Sequence, residues 1–252
     1  MLEVYQFMCR SDNFGVLIHD PESGLTASID APETDAVREA LAAKGWTLTH
    51  ILVTHHHPDH VAGVAPLKSE TGCTVTGPAK GRISGVDVGL SEEETYAFGR
   101  YEAKVLETPG HTLDHIVYFF PEPGLLFAGD TLFSLGCGRV FEGTPAQMWH
   151  SLQKLMHLPR DTEVYCGHEY TLSNAEFALT VESGNDALQD RAAEVRRLRN
   201  DGKPTLPTTL GRELDTNPFL RPDSSEIRQT LGMEDASNEV VWAELRRRKD
   251  RH

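Results

Sequence analysis

The heptapeptide THHHPDH, Thr54 to His60, gathers four histidines and one aspartate directly behind the apolar run HILV. Imidazole and carboxylate are the donors that bind borderline divalent cations, so the cluster points to metal chemistry. Alternate side chains of an extended segment point the same way, which lets His55 and His57 converge while His56 faces elsewhere. Pro58 suits the first turn of a helix, from which Asp59 and His60 would project into the same cavity. This H-x-H-x-D-H spacing differs from the helical H-E-x-x-H of zinc proteases, where two histidines need four-residue spacing to share a helix face.

Three more ligand types follow predicted strands and sit beside glycine: His111 in TPGHT, Asp130 in FAGDT and His168 in YCGHEY. Strand ends in an α/β fold gather at one sheet edge, where ligands commonly bind. Five histidines and two aspartates exceed the needs of one tetrahedral zinc and suit two metal ions that share a bridging carboxylate. His115, four residues after His111, reads as a strand-start residue in preference to a hydrogen-bond partner behind the ligands, and His56 as solvated or placed behind the ligands. Cys166 precedes His168 by two and reads as a small buried residue rather than a soft ligand. No G-x-S-x-G and no cysteine nucleophile signature is present, which disfavours covalent catalysis.

The elements that must hold these residues alternate in texture. Up to about residue 169 the chain reads as short strands (LEVYQFM, FGVLIHD, LTASID, HILVT, CTVTG, YEAKVLET, HIVYFF, LLFAG, TEVYCG) interrupted by two helices, PETDAVREALAAK and TPAQMWHSLQKLMH. Beyond Tyr170 the strands stop. Leu188, Ala192, Val195 and Leu198 recur at helical spacing, a proline-rich connector follows, and DSSEIRQTL shows capping-box spacing between Asp223 and Glu226 ahead of a last helix around NEVVWAELRRRKD. Two domains are expected: α/β over 1–169 and helical over 170–252.

With 252 residues the chain can bury a sizeable core. Its formal net charge of −14 argues against a nucleic-acid partner. Residues 1–20 lack a basic segment followed by an apolar stretch, and no window approaches a membrane span. Four scattered cysteines, Cys9, Cys73, Cys137 and Cys166, fit a reducing compartment, so a cytoplasmic protein is expected.

THHHPDH, TPGHT, AGDTLF and CGHEYT, in that order, resemble the metallo-β-lactamase superfamily; GCGRVFEG, NPFLR and the basic C-terminal helix extend the resemblance to the glyoxalase II (hydroxyacylglutathione hydrolase) family over nearly the whole chain. The resemblance implies an αββα sandwich followed by a smaller all-helical substrate domain. It implies one metal on His55, His57 and His111, a second on Asp59, His60 and His168, and Asp130 between them, with zinc the first choice and iron or manganese the alternatives. The implied reaction is attack of metal-bound hydroxide on an S-(2-hydroxyacyl)glutathione such as the lactoyl thioester, with Asp59 and Asp130 as the catalytic carboxylates. Glutathione contacts would come from Arg139, Phe141, Tyr170, Arg246 and Lys249, in a monomer without a membrane partner. The sequence departs from the family with Phe141 in place of tyrosine, Arg139 in place of lysine and Asp114 in place of glycine. A related persulfide dioxygenase, with one iron on the same fold, is the alternative; the complete second ligand set argues for hydrolysis.

Overall fold

Asn13–Asp20, NFGVLIHD, is buried along almost its whole length, as a strand flanked on both sides must be. It forms β2 in a computed structural model that describes residues 1–252. The chain divides into two compact units, Met1–Glu107 with Asp114–Gly129, and Thr108–Leu113 with Asp130–His252.

The first unit holds ten strands and three helices. β1 (Glu3–Cys9), β2 and β3 (Leu25–Ile29) pair antiparallel, and β4 (His50–Leu52), β5 (Thr74–Pro78) and β6 (Val88–Leu90) continue the same sheet in parallel. Parallel neighbours need crossovers. α1 (Thr34–Lys44) supplies the first; α2 (Pro58–Val61) and α3 (Val64–Thr71) supply the second. Val37 and Leu41 of α1 and Val64 and Leu67 of α3 pack with Leu17, Ile51, Val53 and Val75 of the sheet and its edges in one buried cluster. Each such side chain contributes about 1.5–3 kcal/mol of burial. β7 (Thr95–Phe98), β8 (Tyr101–Glu107), β9 (Ile116–Phe120) and β10 (Leu125–Phe127) form an antiparallel meander. The Tyr118 hydroxyl of β9 donates to the Val53 carbonyl at 2.9 Å, and the Ile116 amide to the Thr54 carbonyl at 2.9 Å, joining the meander to the chain that leaves β4.

The second unit opens with the hairpin β11 (Leu132–Phe133) and β12 (Gly136–Cys137) and then α4 (Pro145–Met156). Thr144 and Gln147 close a capping box on α4, with Pro145 in its first turn. β13 (Glu163–Tyr165) pairs with β14 (Thr208–Thr209) across the helices α5 (Thr171–Val181) and α6 (Asp186–Asn200); α7 (Leu210–Thr216), a 3-10 turn (Pro218–Leu220), α8 (Ser225–Leu231) and α9 (Asn238–Lys249) complete the unit. Leu135, Ala175, Ala178, Leu188 and Ala192 form a buried cluster between the hairpin and α5 and α6.

The expected strands and both expected helices of the first 169 residues are present, and the C-terminal part is largely helical. Four details differ from the sequence reading. α3 and the strands β6 and β7 were not expected, nor was the hairpin β11–β12, because two- to eight-residue elements carry too little periodicity. The strands do not all stop at Tyr170, since β14 pairs with β13 through a two-residue ladder. Ser224, not Asp223, caps α8 by accepting from the Ile227 amide, while Glu226 accepts from the Gly184 amide at 2.6 Å. No helix is long and apolar enough to cross a membrane.

Candidate active site

In the first unit the chain leaves β4 extended and enters α2 with His57 at the N-cap and Pro58 behind it. His55 and His60 are buried; His57 and Asp59 are partly exposed. The ring of His55 lies 4.8 Å from that of His57 and 4.2 Å from that of His60, centroid to centroid. The alternation expected of the heptapeptide is visible at His56, which turns away and bonds Asp114 through Nδ1 at 2.8 Å. His115 is fully buried and stacks on His55 at 4.7 Å, so it is more than a strand start. Gly129, at φ 48, lets the backbone pass beside it: a Cβ there would stand 2.7 Å from His115 Nε2 and from Thr54 Oγ1.

Two residues that the sequence reading missed organise this cluster. Asp30 closes β3, is buried, and sits at φ 55, a conformation unusual for a residue with a side chain. Its Oδ1 accepts from the Thr54 amide at 2.7 Å, and its Oδ2 from Thr54 Oγ1 at 2.9 Å and His60 Nδ1 at 2.8 Å. Because the Thr54 hydroxyl donates to Asp30, it accepts from His55 Nδ1 at 3.0 Å. One carboxylate thus places the proton on Nδ1 of both His55 and His60 and leaves each Nε2 as the lone-pair nitrogen, the arrangement that metal-ligating histidines use. Asn13 does the parallel service for Asp59, donating from Nδ2 to its Oδ2 at 3.1 Å. A signal existed for Asp30: LTASID ends an apolar strand in aspartate, just as LLFAGD does at Asp130.

The second unit brings His111, Asp130 and His168 together, all nearly buried. His111 Nε2 and His168 Nε2 each lie 3.3 Å from the same oxygen, Asp130 Oδ2. His111 Nδ1 donates to the Arg139 carbonyl at 2.8 Å, so in the neutral ring its Nε2 lone pair faces a carboxylate oxygen. Two acceptors held at that distance repel unless a cation lies against both. In the first unit His60 Nε2 and Asp59 Oδ2, 3.7 Å apart, repeat the pattern. The donor set therefore fits divalent metal ions, and all seven residues are among the groups able to hold one. Gly138 is required close by, since a Cβ there would overlap the Asp130 carbonyl at 1.9 Å. Cys166 is no ligand: its thiol donates to the His168 carbonyl at 3.4 Å, and burial pushes its pKa well up.

The expected substrate residues lie in the second unit and differ in availability. Tyr170 stacks flat on His168, 4.7 Å between centroids at 4°, and stands edge-on to Phe133. Phe141 is 63% exposed with its ring 5.2 Å from His111. Arg139 is exposed. Arg246, expected to clamp a carboxylate, is buried: Nη1 donates to the Cys137 carbonyl at 3.0 Å, its guanidinium lies over Phe219, and Asp250 neutralises it at 2.8 Å. Lys249 is half-buried, with Nζ 3.0 Å from both oxygens of Ser173; burial first, then Arg246 and Arg139, lowers its pKa to about 8.

The chain is similar to known proteins along its whole length. The family model of the metallo-beta-lactamase superfamily matches residues 23–168. The fold is shared with solved structures, among them ETHE1 from Myxococcus xanthus (TM-score 0.68, 27% identity, 95% of this chain and 94% of that one) and TTHA1623 in a di-iron-bound form (TM-score 0.62, 25% identity, 86% and 100%). A second model, hydroxyacylglutathione hydrolase C-terminus, matches residues 169–252. The hydroxyacylglutathione hydrolases of Brucella ovis and Brucella abortus are each 55% identical over 251 residues, covering 99% of this chain and 98% of theirs. The chain belongs to the hydroxyacylglutathione hydrolase family of metallo-β-lactamase-fold enzymes.

Proposed function

We propose that the chain hydrolyses S-(2-hydroxyacyl)glutathione thioesters, lactoylglutathione among them, to a hydroxy acid and glutathione, using two divalent metal ions with zinc the first choice. His55, His57 and His111 would hold one ion, Asp59, His60 and His168 the other, and Asp130 both. The observation that carries this reading is Asp130 Oδ2 at 3.3 Å from both His111 and His168, one oxygen meeting an imidazole from each ligand set. Bound there, such ions lower the pKa of water toward neutrality and polarise a thioester carbonyl.

The chain's own residues supply the rest. Asp30 and the Arg139 carbonyl fix the tautomers of His55, His60 and His111, and Asn13 steadies Asp59. Asp59 and Asp130 are the carboxylates we assign to take the proton lost by the attacking water. A thiolate leaves without a strong general acid, and the site has no obvious one. Residues 1–169 would do the chemistry and 170–252 hold glutathione through Tyr170 and Lys249, joined by Arg139 and Phe141 beside His111. Four buried free thiols suit a reducing compartment such as the cytoplasm. The iron-dependent oxidation weighed from sequence is not favoured, since the 55% identical relatives are hydrolases by name.

The test is thioester loss from lactoylglutathione in metal-replete protein and in His57→Ala. Turnover in the first and its collapse by at least a hundredfold in the second is the expected result; hydrolysis that survives His57→Ala overturns the mechanism.

A further inference from the structure

α9 ends in four consecutive cations, Arg246 to Lys249, and Asp250 follows as its C-cap. The C-terminal end of a helix is where its dipole disfavours an anion. Asp250, although exposed, nevertheless sets its carboxylate against two arginines: Oδ1 lies 2.8 Å from Arg246 Nη2, 3.0 Å from Arg246 Nε and 3.7 Å from Arg139 Nε.

The two arginines are held to different degrees. Arg246 is 5% exposed and also bonds the Cys137 carbonyl, so removing it from Asp250 would strand a buried charge. The Arg139 side chain is 60% exposed and meets Asp250 only across 3.7 Å, a separation at which an exposed ion pair contributes little. Arg139 can leave Asp250 readily; Arg246 cannot. Lys249 completes the cationic cluster at the end of the same helix, tethered to Ser173.

We propose that Asp250 is a resident carboxylate of the anion-binding cluster: Arg139 rests on it in the free protein and is handed to a substrate carboxylate, while Arg246 stays on Asp250 as a positioning residue. This rests on the glutathione reading above, in which Arg139 and Lys249 are the cations that meet the substrate. Glutathione carries two carboxylates, and an arginine fork gains most when it pairs with one directly. Asp250 therefore competes with the ligand for Arg139. It weakens binding of substrate and product alike, which favours release after each turnover.

The experiment is calorimetric binding of S-methylglutathione, a thioether that cannot be hydrolysed, and of its dimethyl ester, to metal-loaded wild type, Asp250→Asn, Asp250→Glu and Arg139→Gln/Asp250→Asn. The expected Kd of the diacid falls about two- to fivefold in Asp250→Asn, the scale of one exposed ion pair. Binding of the diester does not change, Asp250→Glu restores wild-type affinity, and the gain disappears without Arg139. Weaker or unaltered diacid binding in Asp250→Asn, equal tightening of diacid and diester, or a gain that survives loss of Arg139 would each overturn the proposal. Wild-type protein that hydrolyses lactoylglutathione while failing one of these arms loses only the role of Asp250. Protein that neither hydrolyses the thioester nor binds the diacid loses the glutathione reading itself, and this assignment with it.

Discussion

Asp30 Oδ2 and His60 Nδ1 lie 2.8 Å apart, both buried, although thirty residues separate them in the chain. The same carboxylate reaches His55 through Thr54, so a single residue outside the ligand motif sets the ring orientation of two histidines. Asp30→Asn keeps the volume and tolerates the left-handed backbone, yet an amide has one acceptor oxygen where the carboxylate uses two. The expected outcome is folded protein whose metal affinity drops about 10- to 100-fold, the usual cost of removing such a partner. Metal content after dialysis against a weak chelator, read beside the melting temperature, checks it. A full metal complement retained by the variant would show that Asp30 does not orient the ligands.

If Lys249 meets a substrate carboxylate as proposed, it makes binding depend on pH. Burial, then Arg246 and Arg139, bring its folded pKa to about 8 from an ordinary 10.5, against the opposing pull of Glu176 and Asp250. Between those two values the unfolded chain binds a proton that the folded chain has lost, so this group adds stability as pH rises through the window. Binding runs the other way, because the cation itself is lost. Affinity for S-methylglutathione should fall more steeply as pH passes from 7 to 9.5 in wild type than in Lys249→Arg, whose charge persists across that range while the ligand's own amine titrates alike in both. Parallel profiles for the two proteins would remove Lys249 from the substrate contacts.

Phe141 stands exposed beside His111 without a hydroxyl to offer. Phe141→Tyr adds a donor at the position where the family resemblance expects one. A net hydrogen bond contributes about 0.5–1.5 kcal/mol, so KM for lactoylglutathione should fall roughly two- to tenfold. Initial-rate kinetics settle the matter, and a KM that rises or holds would place the ring away from the substrate.

Glu213 is fully buried and accepts from Ser134 Oγ, the Leu135 amide, Thr208 Oγ1 and Asn217 Nδ2 at 2.7–3.1 Å. Burial raises its pKa, yet its bonds hold the β11–β12 hairpin, including Leu135 at φ 58. Glu213→Ala leaves several buried donors without a partner and should cost about 3 kcal/mol or more, a shift readable in urea unfolding. A loss under 1 kcal/mol would mean the hairpin is held by apolar packing alone.

The sequence was most informative where one residue type has few alternative uses. Histidines at 55, 57 and 60 with Asp59, and glycine-flanked His111, Asp130 and His168, carry the ligand pattern in the open. The long strands and amphipathic α1 and α4 are equally visible, because burial of one face imposes a period. Asp30 and Asn13 escaped because an isolated aspartate or asparagine at a strand end has many ordinary roles, and only the folded backbone shows its partner to be His60 or Asp59. The burial of Arg246 escaped for a related reason. Four cations in a row look alike in sequence, while rotation of the helix buries one and exposes the next.

Arg139 touches both ends of the problem with different atoms: its carbonyl props the His111 ring at 2.8 Å, and its guanidinium leans on Asp250. Under the proposed reading, any drift of this loop that retunes which thioester is preferred would also disturb the grip of His111 on a metal ion. Inheritable variation is channelled toward neighbours whose main chain carries no such burden, and a protein engineer seeking altered selectivity would begin there too.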